Sequence, residues 1–374
     1  MFILLYFIII ICCGSNGLQA TPTLVKKTTS RGIACPIFRD EEGFLAEFVA
    51  YYQLNGLDHI RFYDDGSSDN SLLEIEPWIQ TGFVSVVANT SGLLAEKLSK
   101  RKDNDKKWHK MLHKTGTRNT IQRISENDCK RYALQHNFDF YLSLDVDEYM
   151  LPQEEGITLM DAISKVSRIT EKVIFPIHKY NFASTPHLLE PIHLLTFEAY
   201  HVRMPRQREL TYFKSVSPKL ILHLSHPNIT KRQKYFILNC CNFHNCKDVN
   251  CRHFNEDVTH YLYNGNGKNE LWGRDDSMDN IMIFHYSRSL EKFTLKQNTW
   301  QAIGSNNFTI INFLDRNIGT IFDNRAGERY GWQVRQIISN VTKTRGSFVR
   351  PGAFWRLKKH AYSMTAMPPL LAGT

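Results

Sequence analysis

The order of its hydrophobic segments constrains this 374-residue chain more than any other feature. "GIACPIF" (residues 32–38), "DHIRFYDD" (58–65) and "FVSVVANT" (83–90) read as strands. Between the first two, "DEEGFLAEFVAYYQLNG" (40–56) places Phe44, Leu45, Phe48, Val49 and Tyr52 on one helical stripe, and Gly56 is a fitting stop. "GSSDNSLLEIEPWIQ" (66–80) supplies Ser and Asp caps ahead of a second helix. A third helix is expected over 119–136, carrying Ile121, Ile124, Cys129, Tyr132 and Ala133. "FDFYLSLDVDEYMLP" (138–152) follows, with Phe138, Phe140, Leu142 and Leu144 in alternation. The chain thus runs β-α-β-α-β, a loop, then α-β. That order predicts an α/β fold with an open, mostly parallel sheet and helices on both faces. Further on, "KVIFPIHKYNF" (172–182) and "SPKLILHLSH" (217–226) read as strands and "SLEKFTLKQNTWQ" (289–301) as a helix. No architecture is expected beyond residue 300.

In sheets of this kind ligands bind at the carboxyl ends of the strands. Three polar stretches fall there: "RDEE" (39–42), "DDGSSD" (64–69) and "DVDE" (145–148). In the last, Asp145, Asp147 and Glu148 crowd like charges that repel and are costly to desolvate. A cation should neutralise them, and a divalent metal is the obvious candidate. Asp147 is expected to bind it directly; Asp145 binds it, or a ribose, or acts through water. Hard cations take oxygen ligands, and Mn²⁺ also accepts imidazole. His285, delivered by the apolar run "IMIFHYSRS" (281–289), is the candidate third ligand, with a core histidine as the alternative. An aspartyl-nucleophile phosphatase also begins with a strand and two such acids, but it wants a Thr where Tyr149 and Met150 stand.

"DDGSSDNS" has a plain explanation in turns and helix caps. Asp65, Ser67, Asp69 and Glu76 nearly fit a calcium loop, but Asn70 replaces its sharp-turn Gly and a strand precedes it. The functional reading is a nucleotide pocket of Arg39, Asp40, Asp64, Asp65 and Asp69. Arg39 suits phosphate, and the acids suit ribose and base. For Asp40 and Asp64 capping is the alternative.

Phe2 to Cys13 form an unbroken apolar run of 12, ahead of any charged side chain. Residues 1–20 read as a signal peptide cut after Gly17 or Ala20, or as a short membrane anchor, although a spanning helix needs about 20 apolar residues. Sequons stand at Asn89, Asn228, Asn307 and Asn340. Apart from Cys12 and Cys13, six cysteines remain, an even number suited to an oxidising compartment. Cys35 and Cys129 lie on a strand and a helix that the fold can bring together, so they are expected to pair; two buried thiols are the alternative. Cys240, Cys241, Cys246 and Cys251 crowd near His244 and His253, with disulfides favoured over zinc. The net charge of +9 is mostly local, since residues 97–118 hold nine Lys/Arg against two Asp. That stretch reads as a solvated loop, with help in holding an anionic donor second. A nucleic-acid partner does not fit a lumenal protein.

"CPIFRDEEGFLAEFVAYYQLNGLDHIRFYDDGSSDNS" (35–71) and "DCKRYALQHNFDFYLSLDVDEYMLP" (128–152) resemble the opening and the DxD segment of glycosyltransferase family 92. "FKSVSPKLILHLSH" and "FHYSRSLEKFTLK" are similar to that family's later Lys-Ser and His-Tyr segments. The likeness runs discontinuously over about residues 33–298, and parts of it also resemble the broader family 2 type. It implies a GT-A fold over residues 31–300, with a nucleotide-sugar half (31–165), an acceptor half (166–300) and an extension of unknown role (301–374). It implies metal-dependent, inverting transfer of a hexose, galactose in several members, from a UDP-sugar to a glycan acceptor. Mn²⁺ or Mg²⁺ is the implied cofactor and the Golgi lumen the implied setting. A lumenal sugar-binding protein of the same fold without catalysis is the alternative. "NELWGRDDSM" (269–278) resembles the "WGGEDD" segment of β-1,4-galactosyltransferases, which makes Asp275 and Asp276 candidates for the general base beside Trp272. Exposed loop acids are the other reading of that stretch.

Overall fold

The computed structural model describes residues 30–88, 117–169, 173–184, 187, 189–191, 193–204, 219–227, 229, 280–294 and 319–342. Among them eleven strands join in one sheet. The first half follows the expected order. β1 (Gly32–Ala34) lies between β3 (His59–Asp64) and β5 (Phe140–Leu142), parallel to both. β2 (Ile37–Phe38) and β4 (Val84–Val87) also run parallel to β3. The helices α1 (Leu45–Leu54), α2 (Ser71–Gln80) and α3 (Thr117–Gln135) connect these strands, as their periodicity predicts.

The second half is mixed. It comprises β6 (Glu148–Pro152), α4 (Leu159–Ile169), β7 (Ile174–Phe182), the short α5 (Thr196–Ala199), β8 (Val202–Arg203), β9 (Lys219–His223) and β10 (Ile281–Tyr286). β11 (Ile321–Phe322) and α6 (Arg325–Thr342) complete the described chain. β9 is antiparallel to both β5 and β7, and β6 is antiparallel to β10, whereas β10 runs parallel to β7.

Strand alternation sends side chains into two cores, one on each face. Ala34, Phe140, Leu142 and Ile221 join α1, α2, α4 and α6. Their neighbours Ile33, Tyr141, Leu220 and Leu222 pack with Cys129 and Ala133 of α3. A disulfide between Cys35 and Cys129 ties α3 to its face, so the expected pairing is present.

Three differences from the sequence reading have physical causes. The acidic triplet does not close one strand: β5 ends at Leu142, a turn carries Asp145 and Asp147, and Glu148 already belongs to β6. α1 is not buried on a single stripe, for every residue from Leu45 to Tyr52 is enclosed. The cause is the third difference, α6, which packs across α1 and brings Tyr330 to 5.1 Å from the Tyr51 ring.

Candidate active site

β9 lies beside β5 and carries Lys219 beneath the acidic turn. Its Nζ is 2.8 Å from Asp145 Oδ2 and 2.9 Å from Glu148 Oε2. Lys219 and Glu148 are wholly buried. On the other side of Glu148, Lys179 of β7 stands 3.5 Å from Oε1. The Asp145 N–H donates to Glu148 Oε2 at 3.0 Å and closes the turn. Burial alone would lower the Lys219 ammonium, but Asp145 and Glu148 outweigh it and hold its pKa above the ordinary value. Part of the cluster's charge is therefore neutralised by lysines.

Asp147 faces the other way, and its Oδ1 is 3.8 Å from His285 Nε2. Strand register makes this meeting unavoidable, since His285 of β10 lies opposite Glu148 of β6 and Asn181 of β7. Asn181 Oδ1 lies 2.8 Å from His285 Nδ1. An amide oxygen only accepts, so Nδ1 carries the proton and Nε2 turns its lone pair toward Asp147. Burial, reinforced by the charge of Lys179, pushes the imidazole down to about 3 against the pull of Asp147 and Asp145. It is neutral at physiological pH.

Among the described residues no three His, Cys, Asp or Glu side chains group as a metal site. The donor set of Asp147 and a neutral His285, its Nδ1 held by Asn181, nevertheless suits a divalent cation that would complete its shell from phosphate and water. Asp145, 36% exposed, leans on Lys219 from the same rim.

The five residues assigned to the nucleotide pocket gather at the ends of β2 and β3. Asp40 adopts φ 53° and accepts from the Ser68 N–H at 2.7 Å. Asp64 accepts from the Ser67 N–H at 2.8 Å. Asp69 accepts from the Ser71 N–H at the start of α2 (3.0 Å) and from the Glu42 N–H (2.9 Å). Asp40 and Asp69 fasten the two loops to each other, and Asp64 closes a turn within its own loop; neither Asp40 nor Asp64 stands at a helix N-cap. Asp65 is held by its backbone N–H on the Phe38 carbonyl at 2.9 Å and is partly buried. Arg39 is exposed, 3.9 Å from Asp40. Asp275, Asp276, the cysteines 240–251 and the sequons at 89, 228 and 307 lie outside the described residues. Asn340 is exposed on the last turn of α6.

Lys219, Lys179 and Asn181 escape the sequence reading. A signal existed for each. Lys219 heads an apolar strand, where a lysine needs a buried partner, and Lys179 and Asn181 sit two apart on one face of "IHKYNF".

A mixed sheet with carboxylates, lysines and a neutral imidazole gathered around one turn, and helices on both faces, defines an α/β protein. The chain belongs to glycosyltransferase family 92, whose sequence model matches residues 34–269. A search of curated proteins found no match. Solved structures similar to it include TarS 1-349 of S. aureus, at 10% identity over 56% of this chain and 54% of that one, with a TM-score of 0.28. Another is glucosyl-3-phosphoglycerate synthase of Mycobacterium tuberculosis with Mn²⁺, UDP and glucosyl-3-phosphoglycerate, at 13% identity over 52% and 57%, TM-score 0.26. The mannosyltransferase Ktr4p of S. cerevisiae gives 11% identity over 83% and 65%, TM-score 0.27. The chain spans about half the length of TarS 1-349. The family assignment rests on the sequence match.

Proposed function

We propose that this protein is an inverting, metal-dependent glycosyltransferase that moves a hexose, with galactose first among candidates, from a UDP-sugar to a glycan acceptor. The observation that carries the reading is the Asp147–His285 pair, set at a strand end with Nδ1 of the imidazole engaged by Asn181. Asp147 and His285 would hold Mn²⁺ or Mg²⁺, which supplies Lewis-acid neutralisation of the leaving diphosphate. Lys219 offsets the charge of Asp145 and Glu148 and fixes both side chains. Asp145, on the rim, would accept from a ribose hydroxyl, and Lys179 would add positive charge beside it. Asp275 and Asp276 remain the proposed general bases, one of them taking the acceptor hydroxyl's proton.

The setting we propose is the secretory pathway, with the Golgi lumen first among its compartments and residues 1–20 acting as signal or anchor. The Cys35–Cys129 disulfide and the exposed sequon at Asn340 support it. Among the described residues no helix is long and apolar enough to cross a membrane, and the apolar run lies outside them.

UDP release from UDP-sugars, measured with Mn²⁺ and a panel of glycans, tests the reading. Turnover is expected with one donor, abolished in Asp147→Asn and after chelation. No turnover with any nucleotide sugar, glycan binding being retained, would favour a sugar-binding protein instead.

A further inference from the structure

We propose that Arg288 is a positioning residue that pins the acidic turn to the 39–44 segment and so fixes the direction from which Asp147 meets His285. The proposal rests on reading that turn as the donor centre.

Arg288 stands two residues beyond β10 with φ 62°, a left-handed conformation that is uncommon for a long side chain. Only 1% of it is exposed. A strained backbone and a buried charge persist where the surroundings over-determine them, and here they do. One arm of the guanidinium donates to Glu41 Oε2. The other donates at 3.0 Å to the carbonyl of Val146, the residue between the two aspartates. The guanidinium carbon lies 3.7 Å from the centre of the Phe44 ring. On the far side of the turn, the Tyr286 N–H donates to the Asp147 carbonyl at 3.0 Å. The end of β10 therefore grips successive peptide carbonyls, and the side chain of Asp147 projects from between them.

A purely structural ion pair would need none of this. Lys292 shows the difference. It pairs with the same Glu41 Oε2 at 3.2 Å and donates to the Asp40 carbonyl at 2.7 Å. Its ammonium therefore serves the 39–44 segment, while the fork of Arg288 joins that segment to the acidic turn. A lysine at 288 would offer a point charge on a shorter stem, unable to reach both partners at once.

The test compares full-length wild type, Arg288→Lys and Lys292→Met. Hydrogen exchange is followed in peptides covering residues 143–150, with melting temperature and Mn²⁺ affinity in the presence of UDP measured alongside. Arg288→Lys is expected to speed exchange in those peptides by about tenfold or more and to weaken Mn²⁺ by about 10–100-fold. Lys292→Met should lower the melting temperature while leaving that exchange within about twofold of wild type. Equal loosening in both variants, or wild-type exchange in Arg288→Lys, overturns the proposal. If Arg288→Lys does not fold, Glu41→Asp draws the partner carboxylate back by one methylene and is read in the same way. A wild type that binds no Mn²⁺ would defeat the metal reading of the site, and exchange alone would then decide the role of Arg288.

Discussion

A lysine with no exposed surface is tolerated only when its charge is answered, and Lys219 is answered twice, by Asp145 and Glu148. Replacing it by methionine keeps most of the volume and leaves the buried Glu148 carboxylate facing Asp145 with no cation between them. Lys219→Met should therefore cost about 3–5 kcal/mol, read as a lower urea midpoint with an unchanged slope. The sequence shows that the triplet needs a counter-charge but not which one, because Lys219 lies 74 positions from Asp145 and reaches it only through the antiparallel pairing of β9 with β5. Asp147 and His285 are legible for the opposite reason. Each ends an apolar approach, and an ionisable group delivered that way is seldom idle. Asp40 and Asp69 show the limit of such reasoning, since acids at a strand end serve equally well as fasteners between loops.

The βα units of the first half are legible because β1 to β4 pair with strands close by in sequence and each helix shows its period, although β1 also pairs with the distant β5. α6 is missed although Ala326, Tyr330, Val334 and Ile338 recur every four residues. Gly327 and Gly331 lower its helical propensity, yet the packing needs them. A Cβ at Gly331 would come within 2.6 Å of Glu198 Oε1, and one at Gly327 within 3.0 Å of the Phe197 carbonyl. The helix has one dry side and one wet side. Ile338→Ala should cost about 2–5 kcal/mol, whereas Trp332→Gln, on a residue 56% exposed, should stay within about 0.5 kcal/mol; thermal melts separate them. The entrance to α6 also depends on pH. Burial would raise the Asp323 carboxyl, but hydrogen bonds from Arg325, with Arg203, outweigh it and hold its pKa below the ordinary value. A depressed folded-state pKa contributes stability above the ordinary aspartate range and loses it as pH falls through the folded value. Acid titration of wild type should show that loss, and Asp323→Asn should lack this contribution at neutral pH and show a correspondingly shallower acid limb.

At the scale of the whole molecule, one described bridge staples the core on the α3 face of the sheet, for Cys35 and Cys129 both lie in it. Cys35–Cys129 closes a loop with a sequence separation of 94. Replacing both cysteines by alanine should cost about 2–4 kcal/mol, measured by denaturant unfolding without reductant. The overall α/β plan is readable from element order. The mixed second half is not, because its pairings span long separations that no local pattern encodes. The bridge has a further consequence for the fate of the chain outside a test tube. Residues 97–118, with their nine Lys/Arg, lie inside the closed ring, so a trypsin-like protease that severs the backbone there opens the ring without parting the halves. Such a nicked molecule would migrate as one species without reductant and as two with it, and the strands on either side of the cut would stay tethered.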